Sequence, residues 1–378
     1  MHFSKPYRIL IVITLPLILT KVLWVSWATC RYGNPDTEKD DILQRRDWLI
    51  ENICVEPLQL INKMPHGIGR QYQGEWAIYS CSMLSKSLQN TAYCHNFYSN
   101  SPTEEIIDSL IKIVLSPELK LYDIVRWGED PLESLDSDNS HISYLSHLAW
   151  MIGNYKSIVG KSKYDNLYDS ICETMNRRIL ASEDMNLPTY PNEPIYIPDM
   201  LVAIVALHDN GNYHNTVNEW LSRAKNKWID SETGLLKSYL ENDAPIKGSY
   251  SALNCYLLTL IDEDFAREQY ALLKKQFYRG GLFSGIKEYT SRSPIIETDV
   301  DAGIILFGLS PSATAFVIGP ATFFNDNKTR NAILRTAEIA GHTVKRGHKR
   351  HYLLADVALV GESITLAMRT NYNSTKEE

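Results

Sequence analysis

Apolar residues recur at positions i, i+3, i+4 and i+7 in about twelve segments of the chain, the spacing that places them on one face of an α-helix. In Thr103–Leu115, for example, Ile106, Leu110 and Ile113 share one face, and Glu104 occupies the first turn, where the helix dipole favours a negative charge. No alternation of apolar and polar residues is long enough to predict a sheet. The pattern therefore predicts an all-α protein. The predicted helices are Lys39–Cys54, Glu75–Leu88, Glu104–Leu115, His141–Tyr155, Lys163–Leu180, Ile197–Asp209, Asn215–Trp228, Ser249–Leu260, Asp264–Phe277, Pro311–Phe324, Thr329–Ile339 and Tyr352–Met368.

Two segments, Met200–His208 and Gly303–Gly319, are apolar on nearly every face, which is typical of helices buried on both sides. Within the second segment, Ser310 and Pro311 form a helix start, a hydroxyl cap followed by proline at the first helical position. Fully apolar helices alternating with amphipathic ones predict an inner ring wrapped by an outer ring. We expect both apolar segments in the inner ring of one domain that spans residues 38–370.

The N-terminal segment Ile9–Thr29 carries a single charge, Lys21, and is about as long as the ~20 residues needed to cross a bilayer. Lys5 and Arg8 precede it, so the positive-inside rule places the tail, residues 1–8, in the cytoplasm and the body in the periplasm or outside the cell. The segment therefore predicts a single-pass signal-anchor. A cleaved signal peptide is the alternative, but no small-x-small site ends the apolar run.

The composition is that of an ordinary globular protein, with 44% apolar and 22% charged residues. The net charge of −7 and the absence of a basic stripe argue against a nucleic-acid partner. The six cysteines show neither a C-x-x-C pair nor zinc-ligand spacing, so we expect buried thiols and no metal. The 22 tyrosines and 8 tryptophans suit a pocket for rings or sugars, and equally an ordinary core.

Several enzyme classes are excluded by missing motifs. The chain contains no G-x-S-x-G elbow, no H-E-x-x-H pair, no P-loop and no dinucleotide-binding fingerprint. Serine hydrolases built on that elbow, zinc proteases, nucleotide hydrolases and Rossmann dehydrogenases are therefore poor interpretations of this sequence.

Four segments carry a resemblance to a known family: QGEWAIYSCSM, RWGEDPLESLDSDNSHISYLSHLAWMIGNYK, LPTYPNEPIYIPDMLVAIVALHD and ETDVDAGIILFGLSPSATAFVIG. In this order, over roughly residues 74–341, the chain resembles the linalool dehydratase/isomerase-like proteins of the six-hairpin superfamily. The resemblance implies an (α/α)6 toroid, here preceded by the transmembrane helix. It also implies a deep central pocket at the loops that lead into the inner helices, and acid–base chemistry without a cofactor.

The family's pocket holds a histidine and two cysteines nine residues apart. In this chain the histidine corresponds to His141, or else to His147, and the cysteine positions fall at Tyr190 and Asp199. Because both thiols are absent, the sequence argues against linalool itself as the substrate. It predicts instead a pocket whose reactive groups are a carboxylate and a phenol.

Asp199 comes directly after Pro198 at the start of an apolar helix, and two interpretations compete there. As a cap, it would gain ~0.3–1 kcal/mol from the helix dipole. As a catalytic group, it would donate or accept a proton, with His141 as its partner because histidine titrates near neutral pH. In the second interpretation, Tyr190 orients a substrate hydroxyl and Glu193 adjusts the pKa of Asp199.

Further candidates would bind the substrate. In an extended segment Asp299 and Asp301 point the same way, but without a histidine nearby they are weak evidence for a metal, and Asp301 alternatively caps the apolar segment after it. Arg126 alternatively forms a loop-fixing ion pair with Glu129 or Asp130. The predicted substrate-binding residues are Glu75, Trp76, Arg126, Tyr196, Asp299 and Asp301.

The sequence supports three functional hypotheses. The first is a cofactor-free lyase or isomerase that moves protons on an alcohol or alkene, as the family resemblance implies. The second is a glycoside hydrolase or polysaccharide lyase, which would need two carboxyl groups ~5–9.5 Å apart. The third is a non-catalytic, membrane-tethered binding module. The expected partners are a small molecule or glycan and the membrane through residues 9–29. No cofactor is expected, and a homo-oligomer is compatible with the sequence.

Overall fold

Helices follow the predicted apolar periodicity along most of the chain. The structure is a computed structural model that describes residues 5–65, 70–93, 102–241, 244–291 and 294–373, and it is 65% helical. The helices are α1 (Lys5–Thr29), α2 (Pro35–Ile53), α3 (Pro57–Asn62), α4 (Arg70–Tyr93), α5 (Thr103–Val114), α6 (Pro117–Trp127), α7 (Ile142–Val159), α8 (Asp165–Ala181), α9 (Ile197–Asn210), α10 (His214–Lys227), α11 (Gly248–Leu258), α12 (Glu263–Phe277), α13 (Pro311–Phe316), α14 (Ile318–Phe323), α15 (Asn327–Gly341) and α16 (Leu359–Arg369).

The most buried helices contact one another in chain order and close into a ring. α4 packs on α7, α7 on α9, α9 on α11, α11 on α13, and α13 and α14 on α16, which returns to α4. α9 is buried on every side from Met200 to Leu207, as its uninterrupted apolar sequence requires. Outside this ring, α2, α5, α8, α10, α12 and α15 each pack on one or two of its members. These outer helices bury one stripe each: α5, for example, buries Ile107, Leu110, Ile111 and Val114.

Three short antiparallel hairpins interrupt the helices. Their strands are β1 (Tyr278–Arg279), β2 (Gly285–Ile286), β3 (Ile296–Asp299), β4 (Gly303–Leu306), β5 (Thr343–Arg346) and β6 (Lys349–Tyr352). Each forms a separate two-stranded sheet, β1 with β2, β3 with β4 and β5 with β6. In the second hairpin Asp299 pairs with Gly303, so the turn between them carries Asp301.

The prediction of one buried helix over Gly303–Gly319 is wrong in its first half. Residues Gly303–Leu306 form strand β4, where Ile304 and Leu306 are exposed. Gly303 and Gly308 adopt positive φ angles of 78° and 80°, a conformation that a helix does not contain. The helix begins only at Pro311, where Ser310 Oγ accepts the N–H of Ala313 at 3.2 Å, as the local motif predicts.

The predicted membrane anchor is also wrong. Within the ranges that the structure describes, no helix is both long enough and apolar enough to cross a membrane. This finding overturns the predicted fold class as stated, a toroid preceded by a transmembrane helix, together with the predicted single-pass membrane localisation. Residues 1–4 of the predicted cytoplasmic tail lie outside the described residues, and residues 5–8 belong to α1.

The second half of α1 packs on the body of the protein. Lys21 Nζ donates to the Glu338 carbonyl oxygen at 3.2 Å and to His342 Nδ1 at 3.0 Å. Trp24 stacks on the His342 ring with centroids 4.9 Å apart, and Ala28 is fully buried. The apolar residues that suggested a bilayer span therefore include some that face α15.

Candidate active site

A cavity of about 320 Å³ opens at the amino-terminal parts of α4, α9 and α11, beneath the turn of the β3–β4 hairpin. It collects residues from five separate segments of the chain, including most of the predicted site residues. Its lining comprises Tyr72, Glu75, Trp76, Tyr79, Thr189, Tyr190, Glu193, Tyr196, Pro198, Asp199, Ser249, Tyr250, Leu253, Asp299, Val300, Asp301 and Phe316.

Asp199 faces this cavity from the first turn of α9. It does not cap the helix: the N-cap residue is Tyr196, whose side chain makes no capping bond, and Pro198 fills the first turn. Thr189 Oγ1 donates to Asp199 Oδ2 at 2.5 Å. Burial raises the pKa of Asp199 to about 6 against the opposing effect of the Thr189 bond, with help from the nearby charges of Asp301 and Glu193.

Glu75 faces the same cavity from α4. Burial raises the pKa of Glu75 to about 8, and the negative charge of Asp199 adds to the shift, while a hydrogen bond with the Tyr190 phenol opposes it. Within the described residues, neither Glu75 nor Asp199 has a basic side chain within ion-pair distance. Near pH 7 this pair therefore consists of one protonated and one largely ionised carboxyl group, the arrangement of an acid and a base.

Tyr190 lies beside Glu75 as a neutral phenol, because burial raises the pKa of Tyr190 well above its ordinary value. Its hydroxyl lies 3.4 Å from Ser143 Oγ, which in turn lies 3.2 Å from the Tyr122 hydroxyl. This buried chain of hydroxyl groups holds the phenol in place, so Tyr190 can orient a polar group of a ligand.

Arg126 lies behind the cavity wall rather than in it. Its Nη1 donates to Glu193 Oε1 at 2.8 Å, and its guanidinium lies 4.4 Å from the centroid of the Tyr190 ring. The ion pair with Glu129 or Asp130, considered from the sequence, is not formed. Arg126 therefore positions two residues of the cavity wall without lining it.

His141 lies outside the cavity. It precedes α7 with a φ of 50°, its Nδ1 lies 2.5 Å from Asp123 Oδ2, and its Nε2 lies 3.2 Å from Glu129 Oε1. Both ring nitrogens are thus engaged by carboxylates, and the ring is fully buried. The expected pair of His141 with Asp199 is therefore not formed, and Glu75 occupies the partner position instead.

His147, the alternative histidine, lies behind Tyr79. The two ring centroids are 4.5 Å apart, and His147 Nδ1 lies 2.8 Å from Ser82 Oγ. Burial lowers the pKa of His147 to about 3, so the ring is neutral at ordinary pH. It supports the cavity wall and carries no charge there.

Lys247 is a residue of this region that the sequence did not indicate. The buried ammonium donates to Asp299 Oδ1 at 2.9 Å and to Asp301 Oδ2 at 2.7 Å. Asp299 Oδ1 also accepts the N–H groups of Asp301 and Ala302, each at 2.9 Å, which shapes the hairpin turn. The Lys247 ammonium lowers the pKa of Asp299. No local pattern marks Lys247, because its partners lie 52 and 54 residues away.

The start of α11 approaches strand β2 so closely that only glycine fits at its first position. A Cβ atom on Gly248 would lie 1.9 Å from the Lys287 carbonyl oxygen, and the Gly248 N–H donates to the Glu288 carbonyl oxygen at 2.8 Å. This contact sets the position of the next two residues, Ser249 and Tyr250, in the cavity.

Aromatic rings form much of the wall. Tyr250 stands edge-on to Tyr196 and to Tyr239, with ring centroids 6.0 and 6.4 Å apart. Trp76 and Tyr79 succeed one another along α4, with centroids 6.4 Å apart. The sequence indicated Trp76 and Tyr196 as site residues. A reading of α4 at helical spacing could also have found Tyr72 and Tyr79, because they flank Glu75 and Trp76 on one face.

Comparisons with protein-family models and with curated proteins find no match. No family model matches the chain, and no curated protein is significantly similar to it. The resemblance to the linalool dehydratase/isomerase-like proteins therefore stays a prediction.

Proposed function

We propose that the cavity catalyses a cofactor-free acid–base elimination or isomerisation on a hydroxyl-bearing substrate, a lyase or isomerase reaction of the kind that the family resemblance implies. The observation that supports this proposal is the pair Glu75 and Asp199, two carboxyl groups in one cavity with pKa values of about 8 and about 6. Pairs whose environments separate their pKa values are typical of acid–base sites.

In the elimination, Glu75 donates its proton to the leaving hydroxyl group, and the C–O bond breaks to release water. Asp199 takes a proton from the neighbouring carbon, and the electrons of that C–H bond form the new double bond. Positioned groups of this kind each accelerate a reaction by about 10²–10⁴-fold. The Tyr190 phenol orients the substrate through a hydrogen bond.

The cycle closes without a cofactor. After elimination Glu75 is ionised and Asp199 is protonated, the reverse of the resting state. Because the pKa of Glu75 is the higher of the two, a proton passes back from Asp199 to Glu75 downhill, through water in the open cavity. Addition of water to an alkene takes the same steps in reverse.

Glycoside hydrolysis is the second candidate. The aromatic wall of Trp76, Tyr196 and Tyr250 favours it, because flat rings pack against the apolar faces of sugars. In that reaction Glu75 protonates the glycosidic oxygen, and Asp199 activates water or attacks the anomeric carbon.

A substrate screen separates the two candidates. The purified chain is incubated with terpenoid alcohols and with oligosaccharides, and products are identified by mass spectrometry. Glu75→Gln and Asp199→Asn keep the shape of each side chain and should each reduce turnover by about 10²-fold or more. Glu104→Gln, at an exposed carboxyl group in the first turn of α5, is the matched control and should retain full activity.

Each outcome is informative. Alkenes or rearranged alcohols from terpenoids support the elimination, whereas new reducing ends from oligosaccharides support hydrolysis. If both variants turn over substrate as fast as the unaltered chain, neither carboxyl group is catalytic and the proposal is wrong.

A further inference from the structure

The residues with acidic or basic side chains that line the cavity are all acidic. They are Glu75, Glu193, Asp199, Asp299 and Asp301, and among the described lining residues there is no lysine, arginine or histidine. Arg126 and Lys247 do not line the cavity, but each forms ion pairs with carboxylates of its wall. A cleft lined by one sign of charge concentrates its field on whatever enters it.

These two cations do not cancel this charge. Arg126 forms an ion pair with Glu193, with Nη1 and Oε1 2.8 Å apart, and the two charges cancel. Lys247 forms ion pairs with both Asp299 and Asp301, so one negative charge of these two carboxylates remains in excess. Asp199 adds a second, because it is largely ionised near pH 7. The cavity therefore disfavours ligands that carry a carboxylate or phosphate, since like charges repel at short range.

The aromatic corner beside Asp301 shows how an ammonium group is held here. The chain's own Lys247 Nζ lies 4.9 Å from the centroid of the Tyr250 ring while it donates to Asp301 Oδ2 at 2.7 Å. A cation over a ring face with a carboxylate beside it is a stabilising arrangement. Tyr196 supplies a further ring, and the Asp301 side chain is 38% exposed, so part of its carboxylate is open to a ligand.

From these contacts we infer that the substrate carries a protonated amine beside its hydroxyl group, as in an amino alcohol or an amino sugar. Its ammonium group lies near Asp301 and the rings of Tyr196 and Tyr250, and its hydroxyl group points toward Glu75. Only the reacting hydroxyl group rests on the proposed function. The selection of a cation rests on charge and aromatic geometry alone.

The test compares two small probes of the same shape. Choline and 3,3-dimethylbutan-1-ol both carry a hydroxyl group, but only choline is charged. In calorimetric titrations at pH 7 we expect choline to bind at least ~10-fold more tightly, as cation–π contact with a flanking carboxylate permits. Added salt should reduce the preference, because it screens charge.

Substitutions in the cavity test which residues cause the preference for choline. Asp301→Asn should weaken choline binding by about 5–10-fold and leave the neutral probe unchanged, since it removes charge but keeps shape. Tyr196→Leu removes a ring and no charge, and should also weaken choline selectively. Glu104→Gln, an equal change of charge far from the cavity, should alter neither affinity. Thermal melts confirm that each variant is folded.

Three results would overturn the inference: equal binding of the two probes, no binding of either up to about 10 mM, or a choline preference that survives both cavity variants. None of them bears on the acid–base proposal, which is judged by the turnover of neutral alcohols. Conversely, the chain could prefer choline while its Glu75→Gln and Asp199→Asn variants lose no activity. In that case the cavity selects cations, and the acid–base proposal is wrong.

Discussion

At the scale of single residues, the proposed chemistry depends on two carboxyl groups whose surroundings give them different pKa values. Glu75 and Asp199 are both partly removed from water, but Asp199 accepts a hydrogen bond from Thr189 that stabilises its ionised form. Glu75 has a hydrogen bond with the Tyr190 phenol, and the nearby negative charge of Asp199 favours its protonated form. The order of their pKa values results from these contacts.

This order predicts a bell-shaped pH dependence. As pH falls below about 6, Asp199 becomes protonated and no longer acts as a base; as pH rises above about 8, Glu75 loses the proton that it must donate. We expect kcat/KM to be greatest between these values. Residual activity of Asp199→Asn should lack the acidic limb and that of Glu75→Gln the alkaline limb. A profile with the same two limbs in both variants would contradict the assignment.

The same pKa shift predicts a trade between stability and activity. The pKa of Glu75 is raised from an ordinary value near 4.5 to about 8, so its contribution to folding is complete below pH 4.5 and is lost as pH rises through 8. Glu75→Gln removes this loss. We expect the free energy of unfolding of the variant, relative to that of the unaltered chain, to rise by about 1–2 kcal/mol between pH 5 and pH 9. This is less than the full pKa shift would give, because the Glu75 side chain is partly accessible to water.

Urea unfolding at the two pH values measures that gain. Glu104→Gln serves as the control, because it also replaces a carboxyl group with an amide, but at an exposed side chain. A difference between Glu75→Gln and the unaltered chain that stays constant from pH 5 to pH 9 would show that Glu75 is not buried in its protonated form.

At the scale of elements, the β3–β4 hairpin is held over the cavity by one buried ammonium group. A two-stranded hairpin is marginally stable by itself, and both β3 and β4 expose apolar residues such as Ile296 and Ile304. Lys247 joins the turn of this hairpin to the start of α11. The position of Asp299 and Asp301 therefore depends on this ion pair, together with the buried side chains of Ala302 and Ile305.

Lys247→Met should release the hairpin. Removing one partner of a buried ion pair leaves uncompensated charge and costs about 3–5 kcal/mol. We expect a loss of about 3 kcal/mol, with faster hydrogen exchange confined to residues 296–306. Lys349→Met is the matched control on another hairpin: its pair with Glu51 at 2.7 Å is exposed and should contribute at most ~1 kcal/mol. Unchanged exchange in the β3–β4 hairpin of Lys247→Met would refute this role.

At the scale of the whole molecule, a buried network joins α2, which lies outside the ring, to α16, the last helix of the ring. Arg45 on α2 donates to Asp41 at 2.9 Å and to Glu362 on α16 at 2.6 Å, and Arg369 on α16 donates to Asp41 at 2.7 Å. Glu338 on α15 belongs to the same network. The partners on α2 and α16 lie about three hundred positions apart, so the network forms only when the ring closes.

Asp41→Asn should therefore destabilise the entire molecule. Asp41 forms ion pairs with four arginines, and three of them, Arg31, Arg45 and Arg369, hold the pKa of its carboxyl group far below the ordinary value. Its contribution is present above the unfolded pKa and is lost as pH falls through the folded pKa. We expect a loss of about 3–5 kcal/mol in urea unfolding at pH 7. Asp47→Asn on the same helix, at a side chain that is 45% exposed, should cost under ~1 kcal/mol. Equal costs would refute the role of Asp41 in ring closure.

The fold could be predicted where its cause was local. The apolar residues on every face of α9 are visible in a window of a dozen residues. In α5 the same kind of window predicts the helix, but it placed Ile106, Leu110 and Ile113 on one face, whereas the helix buries Ile107, Leu110, Ile111 and Val114. α6 was missed although its signals were present, since Ser116 caps it and Gly128 ends it in the left-handed conformation. The strand Gly303–Leu306 was misread because a short apolar run has no period that separates a strand from a buried helix.

By itself the sequence determined the helical character of the body and the presence of acidic and aromatic residues where apolar helices begin. Those features arise from spacing over a few residues. Only the tertiary structure decided that Asp199 faces Glu75 rather than His141, that Lys247 holds Asp299 and Asp301, and that the end of α1 packs on α15. Burial and charge pairing depend on residues far apart along the chain, so a pKa or a partner is set only when the folded chain brings those residues together.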